Sequence, residues 1–163
     1  MELEELYKEI QPRIYAFFFV KTSSKESAED LTHEVFYEAI KGLPQFSHNS
    51  TIQTWLFSIA KNRLKKYYRS QKYKKDLETL YMNEEKVTNT PEEELLKKEE
   101  QRNIIQQINQ LDDLAKEIVT LRVYGELSFK EIGILMEKSE NYVRVTFHRA
   151  KLKMQKEMEG YHG

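Results

Sequence analysis

The stretch that decides the fold is Leu127–Met154, with the sequence LSFKEIGILMEKSENYVRVTFHRAKLKM. Ser128 and Glu131 have the spacing of a capping box, in which each side chain accepts a hydrogen bond from the other residue's backbone N–H at a helix start. A short helix follows, a polar break begins at Glu137, and Ser139 can cap a second helix. The pattern predicts a helix-turn-helix, a motif whose second helix enters the major groove of DNA.

The second helix of this motif interleaves apolar and basic side chains. The apolar set is expected to hold the helix on its domain and comprises Tyr142, Val143, Phe147, Ala150 and Leu152. The polar set is expected to face a groove and comprises Arg144, Thr146, His148, Arg149, Lys151 and Lys153. The alternative is a solvated basic face on an ordinary terminal helix.

Composition restricts the fold class and the chemistry. The 163 residues include 5 Gly and 3 Pro and show no strand-like alternation, which predicts an all-α protein. With 39% apolar residues, two small helical cores are expected rather than one large core. The absence of cysteine excludes disulfides and thiolate metal sites, and the four histidines lack paired ligand spacing. No metal and no cofactor are therefore expected.

The sequence also predicts where the protein acts. Met1–Ile10 is acidic, unlike the basic and then apolar start of a secretory signal. The longest apolar stretch, Ile14–Val20, is too short to span a bilayer. We therefore expect a cytoplasmic protein without membrane insertion.

The net charge of −1 conceals a segregation of charge along the chain. The segment 61–75 has eight basic residues and no acid, whereas 76–100 has nine acids and three lysines. The C-terminal helix is basic again. Two basic segments separated by an acidic one suggest two contacts with a polyanion.

These patterns predict two small helical domains, at 1–75 and 91–163, joined by a flexible acidic linker at 76–90. In the first domain, helices are expected at Glu2–Thr22, with a kink or restart at Pro12, and from a capping box at Ser23 to Gly42. A third helix is expected after a cap at Ser50, with an extension through Leu77, Leu80 and Tyr81 left open. In the second domain, helices are expected near 91–109, 112–124, 128–136 and 139–158, the first of them starting at Thr90-Pro91.

Four blocks, in this order, resemble those of the extracytoplasmic-function sigma factors, group 4 of the sigma-70 family of RNA polymerase sigma factors. They are Ala28–Phe36 (AEDLTHEVF), Thr54–Asn62 (TWLFSIAKN), Thr90-Pro91-Glu92, and Leu127–Ile132 (LSFKEI) with Val143-Arg144 and His148–Lys151 (HRAK). The resemblance covers nearly the whole chain. It implies that the domains are sigma region 2 and sigma region 4.

The resemblance implies that region 2 binds core RNA polymerase through the polar face of its second helix. The candidates are Asp30, His33, Glu34, Tyr37 and Lys41. His33 stands where the family has Gln. Without the family, an ordinary solvated helix face is the preferred interpretation.

The same resemblance implies that region 2 also captures the melted −10 element, which requires base pockets and cations for the strand. The candidates are Phe46, Ser47, His48, Asn49, Lys61, Asn62, Arg63, Lys65, Lys66 and Arg69. Tyr67 and Tyr68 are proposed stacking faces, whereas Trp55 is expected in the core.

Region 4 is then expected to read the −35 duplex. The candidates are Lys138, Ser139, Arg144, Thr146, His148, Arg149 and Lys151. The chain departs from the family at Gly133, Glu137 and Lys138. Gly133 costs roughly 1 kcal/mol of helix propensity relative to the usual Ala.

The implied function is a sigma factor that directs promoter-specific initiation and has no catalytic activity or small-molecule substrate. Its implied partners are core RNA polymerase, promoter DNA and an anti-sigma factor. One alternative is a repressor or activator of the helix-turn-helix type, which requires a dimer. A second is a metal or hydrolytic enzyme, although His33-Glu34 lacks the second His of a zinc-protease motif.

Overall fold

A computed structural model describes residues 3–81 and 99–162, with side chains over 4–78 and 103–159. These residues form seven α-helices and one short 3-10 helix, without a strand, so the all-α prediction is confirmed. The helices are α1 Leu3–Thr22, α2 Lys25–Gly42, the 3-10 helix Leu43–Gln45, α3 Ile52–Tyr81, α4 Glu99–Asn109, α5 Asp113–Val123, α6 Phe129–Met136 and α7 Glu140–His162. The predicted helix start at Thr90-Pro91 lies outside the described residues.

The first helix, α1, runs through Pro12 without a restart. Ile10 and Ile14, on either side of the proline, are fully buried, whereas Pro12 is exposed. A proline removes one helical hydrogen bond, and here burial of the adjacent turns keeps the helix continuous. The third helix, α3, extends to Tyr81, so the first six residues assigned to the linker are helical.

Two predicted N-caps lie one residue too early. The cap of α2 is Ser24, whose Oγ accepts a hydrogen bond from the Ser27 N–H at 3.1 Å, while Ser23 is left-handed with φ 55°. The cap of α3 is Thr51, whose Oγ1 accepts from the Thr54 N–H at 3.2 Å. At both places two hydroxyl residues are adjacent, so the path of the backbone decides which of them caps the helix.

The core does not divide along the predicted domain boundary. One buried cluster joins α1, α2 and α3 to the C-terminal helices; its fully buried aromatic side chains are Phe17, Phe18 and Phe57, and its C-terminal members are Ile118, Leu121, Leu127, Ile132 and Val143. A smaller cluster comprises Ile108, Leu111, Ala115, Val119 and Ala150. Two cores are present as expected, but they do not correspond to one core for each predicted domain, because apolar faces of both halves of the chain meet in the larger one.

None of the described helices is apolar enough over a sufficient length to cross a membrane.

Candidate nucleic-acid and polymerase interfaces

The helix-turn-helix is formed by α6 and α7, and its predicted caps are confirmed. The Ser128 Oγ accepts a hydrogen bond from the Glu131 N–H, and Glu131 Oε1 accepts from the Ser128 N–H, both at 3.0 Å. At the start of α7, Ser139 Oγ accepts from the Tyr142 N–H at 3.0 Å. These bonds satisfy backbone donors at both helix starts and so fix the first turns of the two helices.

The turn between α6 and α7 accommodates the departures from the family pattern. Glu137 adopts the left-handed conformation, with φ 58°. The Lys138 N–H then donates to the Gly133 carbonyl at 2.8 Å. A Cβ on Gly133 would lie 2.6 Å from the Lys138 carbonyl oxygen, so the absence of a side chain permits this tight turn.

The predicted −35 residues occupy two flanks of α7. On one flank, the Arg144 guanidinium donates to Glu140 at 3.2 Å and lies 5.6 Å from the centroid of the Phe129 ring. His148 contacts the same ring at a centroid distance of 6.3 Å. On this flank, one aromatic ring positions two exposed side chains that can approach a groove.

On the opposite flank, Thr146 and Arg149 line a cavity of about 500 Å³ together with Asp112 at the start of α5. Of the seven predicted −35 residues, Thr146 is half-buried; the exposed ones are Lys138, Ser139, Arg144, His148, Arg149 and Lys151. The two flanks lie on different sides of α7, so a single DNA groove cannot contact all seven side chains equally.

The outward surface between these flanks includes residues that the sequence argument missed or misplaced. Asn141 and Val145 are exposed beside the predicted set. Tyr142 and Leu152 are 41% and 65% exposed, so the expectation that they hold the helix on its domain is wrong. The 3.6-residue period, counted from the buried Val143, identifies this outward face.

The polar face of α2 is exposed throughout the predicted polymerase-binding set: Asp30, His33, Glu34, Tyr37 and Lys41. The Lys41 Nζ lies 4.2 Å from the centroid of the Tyr37 ring, one helical turn away. The Arg63 Nε donates to Glu38 Oε2 at 2.8 Å, and its guanidinium lies 3.7 Å from Glu34. Arg63 thus connects the α2 face to the basic face of α3.

The loop before α3 is an aromatic cluster. The Phe46 ring lies 4.9 Å from the Trp55 ring and 4.6 Å from the His48 ring, between centroids. His48 is exposed with φ 59°, and its neighbours Ser47 and Asn49 are exposed as well. Trp55 packs half-buried against the core, as predicted. The loop therefore presents one aromatic ring, that of Phe46, which packs against Trp55 and His48, together with several exposed polar groups.

The basic face of α3 divides in two. Five of its predicted residues line a cavity of about 200 Å³ with Glu38; they are Asn62, Arg63, Lys65, Lys66 and Arg69. Lys61 is half-buried and lies on the other side, where it and Lys65 line a cavity of about 430 Å³ that also has Asp113 and Glu117 in its wall. Part of the predicted −10 face is thus turned toward the C-terminal helices.

Both of the proposed stacking tyrosines are held by contacts with the rest of the chain. Tyr67 is half-buried against the core. The Tyr68 hydroxyl donates to the Lys21 carbonyl at 3.1 Å. Burial, and then the nearby Glu117 carboxylate and Tyr67, raise the pKa of Tyr68 to about 12. The Tyr68 side chain is still 46% exposed, so the hydrogen bond holds the ring in place without covering it.

Among residues with described side chains, no group of three or more His, Asp or Glu could hold a metal ion.

Comparisons with known proteins agree with this arrangement. The family profile of Sigma-70 region 2 matches residues 6–73, and that of Sigma-70, region 4 matches residues 101–154. The chain is 31% identical to RNA polymerase sigma factor YlaC of Bacillus subtilis over 159 residues, covering 96% of this chain and 91% of that protein. It is 28% identical to ECF RNA polymerase sigma factor SigM of the same organism, over 94% of this chain and 93% of that one.

The fold is similar to that of the sigma factor RpoE of Bartonella quintana, solved in complex with the anti-sigma factor NepR. The TM-score is 0.71, with 16% identity over 96% of both chains. The chain belongs to the sigma-70 family, among the extracytoplasmic-function sigma factors. It binds core RNA polymerase and directs initiation at specific promoters.

Proposed function

We propose that α7 reads the −35 duplex, with Arg144 and Arg149 as its main contacts. The observation that carries this proposal is an exposed pair of arginines on the capped second helix of a helix-turn-helix. A bidentate arginine–guanine pair discriminates by roughly 1–3 kcal/mol. Lys138, Ser139 and Lys151 position phosphates, while Thr146 and His148 contact the groove wall.

The −10 element is captured, in this proposal, by the loop 46–49 and the basic face of α3. The supporting observation is that Phe46 and His48 form an aromatic pair in the loop that leads into α3, the helix whose exposed cations include Lys65, Lys66 and Arg69. Aromatic rings stack on unpaired bases and cations follow the strand, which is the usual chemistry of single-strand binding. The set is Phe46, Ser47, His48, Asn49, Lys61, Asn62, Arg63, Lys65, Lys66 and Arg69.

The α2 face binds the polymerase core through Asp30, His33, Glu34, Tyr37 and Lys41. Its support is the uniform exposure of these side chains, including an aromatic ring 62% exposed at Tyr37. Exposed aromatic side chains of this kind are enriched at protein interfaces. Arg63, paired with Glu38, links this face to the −10 face.

Region 2 is assigned to 1–75, a linker to 76–90 and region 4 to 91–163. The protein acts in the cytoplasm without catalysis of its own. Its effect on transcription is therefore to position core polymerase at promoters. Its structural relative RpoE is bound by an anti-sigma factor, and we extend that mode of control to this chain.

The test is run-off transcription with purified core polymerase, with and without the protein, on a pool of promoter fragments. We expect specific transcripts that appear only on addition, from templates sharing a −35 and a −10 sequence. A footprint by the protein alone on a palindrome, with no effect on core, would favour the dimeric regulator instead.

A further inference from the structure

The outward face of α7 is centred on Asn141 and Val145, which we call the central pair. Val143 and Ala150 are buried and mark the side of the helix that packs on its domain. At about 100° per residue, Val145 lies about 200° around the helix from Val143, which is nearly opposite. Asn141 precedes Val145 by four residues, so the two side chains share one face, and both are exposed.

The two arginines of α7 lie on the flanks of this face, and each is beside an acid. Arg144 donates to Glu140 on its own helix at 3.2 Å. Arg149 lines the cavity of about 500 Å³ that Asp112 also borders. A guanidinium held at the edge of the face can reach a base or a phosphate at the side of a groove. The middle of the groove lies opposite the central pair.

The central pair also lies at the end of α7 that contacts bases in this motif. The helix begins at Glu140, so Asn141 and Val145 are its second and sixth residues. In helix-turn-helix proteins the N-terminal residues of the second helix contact the base edges. Ser139 fixes the start of the helix, because its Oγ accepts from the Tyr142 N–H at 3.0 Å. Both side chains therefore project from ordered turns.

Each member of the central pair has the chemistry to recognise one base. The carboxamide of Asn141 both donates and accepts, and this combination fits the N7 acceptor and the N6 amino group of adenine. Val145 ends in two methyl groups and is 36% exposed. The apolar group that a base presents in the major groove is the 5-methyl of thymine. A valine against cytosine or guanine would instead cover polar groups and leave them unpaired.

We propose that the central pair selects A·T base pairs in the middle of the −35 element, Asn141 through adenine and Val145 through a thymine methyl group. The inference rests on the −35 role of α7 proposed above and adds bases that the arginines do not read. Four residues of helix span about 6 Å and base pairs rise about 3.4 Å each, so the two pairs lie within two steps of each other. Guanines are expected on either side, opposite Arg144 and Arg149.

The unaltered protein tests this inference when single groups are changed in the DNA. Holoenzyme, assembled from core polymerase and the full chain, transcribes a promoter pool with a randomised −35 element, and the transcripts identify the selected bases. Deoxyuridine then replaces the central thymine and removes only its methyl group, while 7-deazaadenine replaces the adenine and removes only the N7 acceptor. We expect promoter binding to weaken about fourfold without the methyl group and about fivefold without N7.

Two variants assign these losses to individual residues. In Val145→Ser, removal of the thymine methyl group should no longer weaken binding. In Asn141→Ala, 7-deazaadenine should bind as well as adenine. Val123→Ser, the same change at a valine that is 47% exposed and outside the helix-turn-helix, is the control and should retain both losses.

The inference is overturned if the selected −35 element has no central A·T pairs, if both base analogues leave binding unchanged, or if V145S and N141A keep the losses of the parent. The arginine variants separate this failure from failure of the −35 role. If Arg144→Ala with Arg149→Ala relaxes selection at the flanking bases while V145S and N141A leave the centre unchanged, α7 reads DNA through its arginines alone. If none of these variants changes any selected base, the −35 role of α7 is itself wrong.

Discussion

The two predicted DNA-binding faces differ in how much the rest of the chain covers them. The α7 face is held by caps and by one ring, Phe129, and its basic side chains are mostly open to solvent. The α3 face is partly turned inward, with Lys61 and Lys65 beside Asp113 and Glu117. The first face is therefore largely open to DNA, whereas part of the second lies against the C-terminal helices.

The largest expected effect comes from Phe57→Ala, which removes a ring buried between both halves. Phenylalanine-to-alanine changes in cores cost about 3–5 kcal/mol. We expect the free energy of unfolding, from denaturant titration, to fall by this amount and the halves to separate. Ile40→Ala, at a position 68% exposed, is the control and should change stability by less than about 0.5 kcal/mol. A small loss at Phe57 would mean that the shared core contributes little.

Removing the open arginines should affect promoter choice next most strongly. Arg144→Ala with Arg149→Ala is expected to weaken binding to the −35 duplex by about 1–3 kcal/mol for each lost bidentate contact. Binding to core polymerase should stay intact, since both residues lie on α7. The measurement is duplex binding and transcription from promoters with altered −35 bases, with Lys156→Ala as the control on the same helix. Unchanged promoter selection would contradict the assignment of α7.

The exposed cations of α3 are tested by the salt dependence of promoter binding. Lys65→Gln, Lys66→Gln and Arg69→Gln together are expected to reduce the slope of log K against log salt for promoter-complex formation by about 2, at roughly 0.7 for each lost phosphate contact. A variant with Gln at Lys8, Lys25 and Lys156 removes the same charge elsewhere and should keep the slope. An equal slope in both variants would show that this face does not touch DNA.

The smallest effect is expected at Glu131, which joins the start of α6 to the start of α3. Burial opposes its charged form, but hydrogen bonds from Thr51, Ser128 and Thr54 together hold the pKa of Glu131 below its ordinary value of 4.5. A lowered pKa contributes stability that is present above the ordinary value and is lost as pH falls through the lowered one. The stability gap between the wild type and E131Q should therefore be constant near neutrality and shrink in acid. A gap that widens in acid would reverse the sign of this coupling.

The helix-turn-helix was predictable because its signals are local. Ser128 and Ser139 each cap a helix through a bond to a residue three positions on, and both predictions are confirmed. The pairs Ser23-Ser24 and Ser50-Thr51 misled the same reasoning. At these two places the position where the preceding segment ends decides which residue caps the helix. No local sequence pattern predicts that position.

The sequence by itself determined the helices, the motif and the two basic segments, because hydrogen bonds and charges a few residues apart depend on neighbours in the chain. Only the tertiary structure decided that Phe57 meets Gly125, that Thr51 donates to Glu131 across 80 residues, and that Lys61 faces region 4. Burial and pairing between distant segments depend on which faces meet. Composition and periodicity show that apolar faces exist, but not which of them pack together.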